Sequence, residues 1–269
     1  MSHPVRPEPT SSRPHRLRIV AVVGGLVAVV AVLGAWVWAE ARPAPAGVLA
    51  VPAARAEGIV RRTEVAFADA EAVWDRAVRA TRGEYHRAEL RFFTRATGTA
   101  CAPAPVSGPF YCPETGVAAF DLAFLDTLGE RLKRERELGL ALYAARVSAQ
   151  HLQRELGLLD AAAIELVGGR RGRRAEVVTS LAMQADCLAG VWAAAAAPRL
   201  GPVPDDFWGQ LVWSSRNVVD DLGRAGVRVP AEFDVFAAGG QAARGAAFAE
   251  GYASGRIEGC GLALGDAAG

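Results

Sequence analysis

The side chains able to do chemistry are few. Between Ile59 and Gly269 the chain has two histidines, His86 and His151, and four cysteines, Cys101, Cys112, Cys187 and Cys260. His151 stands four residues before Glu155, a spacing that puts both on one helical face. With Asp186 they could form a nitrogen and oxygen ligand set for a metal; the plainer reading is an ion pair on a solvated face. No C-x-x-C pair occurs, which argues against a zinc ribbon or a thioredoxin-type redox site. An even number of cysteines fits two disulfides if the domain lies outside the cytoplasm, and four buried thiols if it does not. Sequence alone leaves three pairings open.

The basic residues point to no nucleic-acid partner. Net charge is +1, so no global field attracts a polyanion. Arg170, Arg171, Arg173 and Arg174 cluster without interleaved aromatics and read as a solvated loop. Lys133 is the only lysine, a bias of codon usage rather than of recognition.

The elements that must position these residues start after an apolar run. Residues 1–18 are polar, Pro-rich and basic, the composition of a disordered tail. Ile19 to Ala39 is 21 residues without a charge, about the ~30 Å of a bilayer core. Trp36 and Trp38 at its far end and arginines before it predict an anchor with its N-terminus inside and the main domain outside. A cleaved signal peptide is the alternative, since Ala39-Glu40-Ala41 has the small-x-small form, but the run is longer than such segments need. Residues 40–58 read as a Pro/Ala linker, and 59–269 as one extracytoplasmic domain.

Within that domain the pattern predicts α+β: mostly helices around a small sheet of short strands. A helix capped by Thr63 runs to Gly83. Strands cover Glu89–Thr97 and Val117–Leu122, with a Cys-bracketed loop between them. A helix over Leu122–Glu137 precedes the central one, Leu138–Gly157, whose apolar positions Leu138, Leu142, Ala145, Ala149, Leu152 and Leu156 mark one buried face. A loop-rich connection over 158–174 leads to helices over 176–197, 207–222 (capped by Asp205 or Asp206) and 240–255, with a short turn or helix at 230–236.

Two strings then become informative. Gly108-Pro-Phe-Tyr-Cys-Pro113, preceded by Thr99-Ala-Cys101, and Gln184-Ala-Asp-Cys187 followed by Ala189-Gly-Val-Trp192 resemble the neutral zinc metallopeptidase family of membrane-anchored bacterial proteins. The resemblance runs through Asp121, Arg131, Gly251, Gly255 and Cys260. It implies a zincin-like domain behind a transmembrane helix, and Cys101–Cys112 and Cys187–Cys260 as the disulfides. The family's chemistry uses a His-Glu-x-x-His helix, two imidazoles on zinc with the Glu as general base, and a third ligand on the helix of the second motif.

This chain is identified as a degenerate member. The two His positions fall on Arg146 and Gln150, the Glu on Val147, and the third-ligand position on Ala182. His151, Gln153 and Gln184 match the family. A later His-Gly-Thr-Ser-Ala-Gln-Arg pattern falls on Ala238 to Arg244, keeping Gly239, Ala242 and Arg244. Arg146 cannot ligate zinc and Val147 cannot carry a proton. No cofactor is expected, although zinc serves the family. Asp186 is expected to pair with Arg146. The implied role is a catalytically inactive pseudopeptidase, a binding or regulatory module for a peptide or protein partner, with Val117–Leu122 as a candidate edge strand for peptide addition. Alternatives are an active metallopeptidase with a non-standard site, such as His151, Glu155 and Asp186, or a purely structural envelope protein.

Overall fold

The computed structural model describes residues 51–80, 83–168, 171–227, 229 and 236–262. All lie in one compact unit, Gly47–Gly269. The expected anchor, Ile19–Ala39, and nearly all of the 230–236 turn fall outside the described residues.

Helix α1, Ala53–Arg79, starts ten residues before the expected cap. Ala53-Ala-Arg-Ala-Glu57 are strong helix formers, and propensity carries the helix back into what composition marks as linker. Thr63 is therefore buried mid-helix and caps nothing. Ile59, Phe67, Ala70, Trp74 and Val78 form its buried stripe.

Strands β1 (Glu89–Phe93), β2 (Phe110–Cys112) and β3 (Val117–Asp121) form one sheet in the order β1-β3-β2. β1 runs parallel to β3, with Glu89 opposite Val117, and β2 runs antiparallel to it, with Cys112 opposite Val117. The candidate edge strand is thus the central one. Both of its hydrogen-bonding sides are occupied, so Val117–Asp121 cannot accept an added strand, and that expectation is corrected. The disulfide Cys101–Cys112 closes the loop ahead of β2, and the Thr97–Val106 bridge lies beside it.

Asp121 turns the sheet into helix α2, Leu122–Leu132. Its Oδ1 accepts from the Ala123 amide at 3.0 Å as helix cap and from the Arg95 amide at 2.9 Å; Oδ2 accepts from the Gly108 amide at 3.1 Å. One buried carboxylate thus fixes three chain segments. Burial pushes its pKa up, and the amide donors oppose the rise. α2 ends five residues short of the expected Glu137, because Lys133 takes a positive φ of 52°. A 3-10 turn, Lys133–Glu135, then leads into α3, Arg136–Glu155.

α3 is the centre of the domain. Every residue from Gly139 to Ala149 is buried, so the helix is covered all round rather than along one face. α1, α2, β2, β3, α4 (Leu158–Gly168) and α5 (Arg171–Leu200) pack on it. The expected loop over 158–174 is largely helical, α4 following directly after the Gly157 turn. α6 (Phe207–Arg224) and α7 (Gln241–Ser254) complete the bundle. Asp206 precedes α6 at φ 59° and makes no side-chain cap bond. Among the described residues one helix, Arg173–Leu200 within α5, has the length and composition to cross a membrane; half of its apolar window is buried inside the domain, where Leu188 and Trp192 join the core.

α5 and α7 cross at backbone contact. A Cβ on Gly190 would lie 2.1 Å from the Phe248 carbonyl oxygen, and one on Gly251 would lie 1.8 Å from that of Cys187. Both glycines belong to the family strings, and sterics explain them. Cys187 also bonds Cys260 in the C-terminal 3-10 turn Ile257–Cys260. Gly251→Ala should lower stability by about 3 kcal/mol through overpacking against backbone, measured by guanidinium denaturation. Gly245→Ala on the same helix, where a new Cβ meets nothing within 4 Å, should instead raise stability by about 0.5–1 kcal/mol. Equal effects from the two substitutions would refute the close crossing.

Candidate functional site

α3 and α5 bring the degenerate positions together around a charge cluster. Arg146 Nε donates to Asp186 Oδ1 at 2.9 Å, and Arg244 Nη2 on α7 donates to the same oxygen at 2.7 Å. The expected Arg146–Asp186 pair forms, with Arg244 as a second cation. Asp186 and Arg244 are fully buried and Arg146 is 2% exposed. Burial raises the Asp186 pKa, and the guanidiniums of Arg146 and Arg244 pull it back. Burial also lowers Arg244, to about 10, against the pull of Asp186.

The segment after α6 closes this centre. Arg244 Nη1 donates to the Ala238 carbonyl at 2.5 Å, and Arg216 donates to the carbonyls of Phe236 and Gly239 at 2.8 and 2.6 Å. The Phe236 ring lies under the Arg244 guanidinium at 4.7 Å and the Arg146 guanidinium at 5.9 Å, both within cation–π reach. Gly239 has φ 79°, and a Cβ there would come within 2.5 Å of Met183 Cε. Ala238, at the later His position of the family, thus contributes only its carbonyl.

The other replaced positions carry no donor of the required kind. Val147 is wholly buried among apolar side chains and Ala182 is 8% exposed. Gln150 is half-buried, and its Oε1 has no hydrogen-bond partner among the described residues. A guanidinium, an isopropyl group, an amide and a methyl group do not fit a zinc ion, which takes thiolate, imidazole or carboxylate ligands. Among the described residues no group of three or more His, Cys, Asp or Glu side chains is arranged to hold a metal.

His151, Glu155 and Asp186 are not brought together as a site. Asp186 belongs to the arginines. His151 is 1% exposed, so the solvated-face reading of the His151–Glu155 spacing is corrected as well. Both ring nitrogens are engaged: Nε2 meets the His86 carbonyl at 2.6 Å, and Nδ1 meets the Tyr111 hydroxyl at 2.8 Å. The carbonyl accepts only, so Nε2 carries the proton and Nδ1 accepts from Tyr111. Burial lowers the His151 pKa. Burial pushes the Glu155 carboxyl up, but hydrogen bonds from the His86 amide and ring outweigh it, and its pKa is lowered. Nearby, Glu71 accepts from the Tyr85 hydroxyl at 3.1 Å and the Ala88 amide at 2.8 Å. Together these bonds hold the segment before β1 against α1 and α3.

Two retained glutamines join the helices of the two strings. Gln153 Nε2 donates to the Leu181 carbonyl and to Gln184 Oε1, both at 2.9 Å, and Gln184 Nε2 reaches the Cys260 carbonyl at 3.4 Å. The sequence does not pair Arg244 with Asp186, although Arg244 matches the last residue of the later family pattern. Arg216 and Phe236 carry no local signal.

Charge balance orders the expected effects of substitution. Arg146→Met leaves Asp186 its bond from Arg244; Asp186→Asn takes the shared carboxylate away from both guanidiniums. Breaking a buried pair costs about 3–5 kcal/mol, so Asp186→Asn should fall in that range, and Arg146→Met should cost clearly less, as read by guanidinium denaturation. An Arg146 variant as damaging as Asp186→Asn would show that Arg244 does not share the carboxylate.

Comparison with known proteins gives partial sequence matches. Over 131 residues, 48% of this chain and 46% of the relative, it is 28% identical to "Uncharacterized protein YpfJ" of Escherichia coli K12. Over 111 residues, 40% of this chain and 36% of the relative, it is 37% identical to "Uncharacterized protein Rv2575" of Mycobacterium tuberculosis H37Rv. The chain therefore spans less than half the length of these relatives. No solved structure matches. The model of the family described as "Putative neutral zinc metallopeptidase" matches residues 17–262, and the chain belongs to that family.

Proposed function

We propose that this chain is a metal-free pseudopeptidase of its family: a zincin-like domain, held outside the membrane by the apolar Ile19–Ala39 segment and used as a binding or regulatory module. One observation carries the reading. The helix positions that would hold zinc and the general base are Arg146, Val147, Gln150 and Ala182, and the carboxylate beside them is committed to two guanidiniums. A cation fixed by hydrogen bonds in a buried site repels a dication and excludes it sterically. With no zinc ligand and no base at these positions, the hydrolysis that the family's motif performs has no agent there.

The scaffold around the emptied positions supports retention for a purpose other than hydrolysis. Asp121, Gly190, Gly251, Gln153, Gln184 and both disulfides each carry a structural task, described above. A folded, exported domain with an inert centre can still recognise a partner through its surface.

The test is metal analysis of the purified, tag-free full chain, together with a peptide-cleavage assay with and without chelator. The expected result is substoichiometric zinc and no chelator-sensitive cleavage. Stoichiometric zinc with chelator-sensitive cleavage would overturn the proposal.

A further inference from the structure

We propose that the protein forms a two-fold dimer in which β1 pairs antiparallel with β1 of a second copy, Leu90 facing Leu90 across the axis. This surface is separate from the replaced zinc positions, and the dimer does not depend on the pseudopeptidase reading. The main chain supplies the first observation. Among the described residues β1 pairs with β3 alone. The Glu89 amide donates to the Gly116 carbonyl at 3.1 Å, so Glu89, Arg91 and Phe93 turn their backbone groups towards β3. Alternation turns those of Leu90 and Phe92 away from it. The outward N–H and C=O groups of Leu90 and Phe92 have no hydrogen-bond partner among the described residues. Unpaired main-chain groups along a sheet edge are a template for another strand.

The side chains select which strand. Leu90 and Phe92 pack on the core, while Glu89 and Arg91 share the opposite face, with 56% and 62% of their side chains exposed. Arg91 Nε donates to Glu89 Oε1 at 2.6 Å. Glu89 Oε2 and the terminal nitrogens of Arg91 have no partner among the described residues. An edge carrying like charges would be closed to its own copy. β1 carries both signs in a self-complementary order. From N to C it reads acid, apolar, base, and an antiparallel copy sets base, apolar, acid against it. With Leu90 opposite Leu90, each Glu89 stands opposite the partner's Arg91. That pair lacks main-chain bonds, so its side chains approach most closely. The two Leu90 residues exchange N–H and C=O bonds, and each Phe92 N–H meets the partner's Ala88 carbonyl. The Ala88 amide is held by Glu71 at 2.8 Å, but its carbonyl has no partner among the described residues. The neighbouring register, with Arg91 opposite Arg91, makes as many main-chain bonds but sets two cations against each other. Charge therefore picks the Leu90 register. The two-fold axis closes both β1 edges at once, which ends growth at two copies.

The test is the molar mass of the full chain in mild detergent, read by light scattering over a dilution series with the detergent contribution subtracted. The unsubstituted chain should pass from monomer to dimer as concentration rises. Glu89→Arg alone and Arg91→Glu alone should each weaken the dimer about tenfold or more, because each reversal acts at both symmetric contacts. Mixed in equal amounts, the two variants should pair with each other as strongly as the unsubstituted chain, since every opposed pair then has opposite signs. Neither chain in that mixture regains the Glu89–Arg91 bond within its own strand, so recovery reports the contact between copies. Should either reversal fail to fold, Glu89→Gln and Arg91→Gln carry the test, each weakening the dimer several-fold. A chain that is monomeric at every concentration, a dimer that these substitutions leave unchanged, or a mixture that pairs no better than either reversal alone would overturn the proposal.

Discussion

Asp186 is the constraint on which the domain turns. A carboxylate with no solvent exposure must be neutralised or it disfavours folding. In this chain the neutralising charges are fixed side chains, Arg146 from α3 and Arg244 from α7, both bonded to one oxygen. The carboxylate itself sits on α5. Three helices distant in sequence are therefore pinned at one point, and each must hold its register for the hydrogen bonds to form. The Phe236 ring, lying under both guanidiniums, adds a cation–π contact to each.

That geometry depends on close backbone approach. Arg244 reaches Asp186 because α7 lies against α5 at Gly190 and Gly251, and α5 is held to the C-terminal turn by Cys187–Cys260. Gly251 faces the carbonyl of Cys187, so the helix crossing and the disulfide meet at one residue. On the other side, Gln153 and Gln184 tie α3 to α5 and α5 to the carbonyl of Cys260. The centre is thus supported from both neighbours, which is why a buried ion cluster can replace other chemistry without loosening the bundle.

Much of this was legible in the sequence, for physical reasons. Strands β1 and β3, the helix carrying Arg146, and both disulfide pairings follow from local pattern and resemblance. The three-residue β2 was not visible, because Phe110-Tyr-Cys112 has too few residues to show alternation. The pattern predicts a loop where α4 stands because Gly157 is a natural helix stop, yet a second helix can begin directly after it. Strand order is a property of pairing between distant segments, so nothing within Val117–Asp121 shows that it is central. His151 illustrates the same limit. Its spacing to Glu155 predicts a shared helix face, but whether that face is wet depends on Tyr111 and the 83–88 segment packing over it.

The family residues divide by the task they perform. Those retained act on the backbone or on packing: Asp121 accepts amides from three segments, Gly190, Gly239 and Gly251 leave room that a Cβ would fill, and Gln153 and Gln184 join helices. Those replaced, at Arg146, Val147, Gln150 and Ala182, are positions whose family residues would hold and use a metal without holding the fold. On the proposed reading, the buried Arg146 supplies a positive charge beside Asp186 where the family would place a metal cation, so the fold keeps its internal charge pairing without a metal.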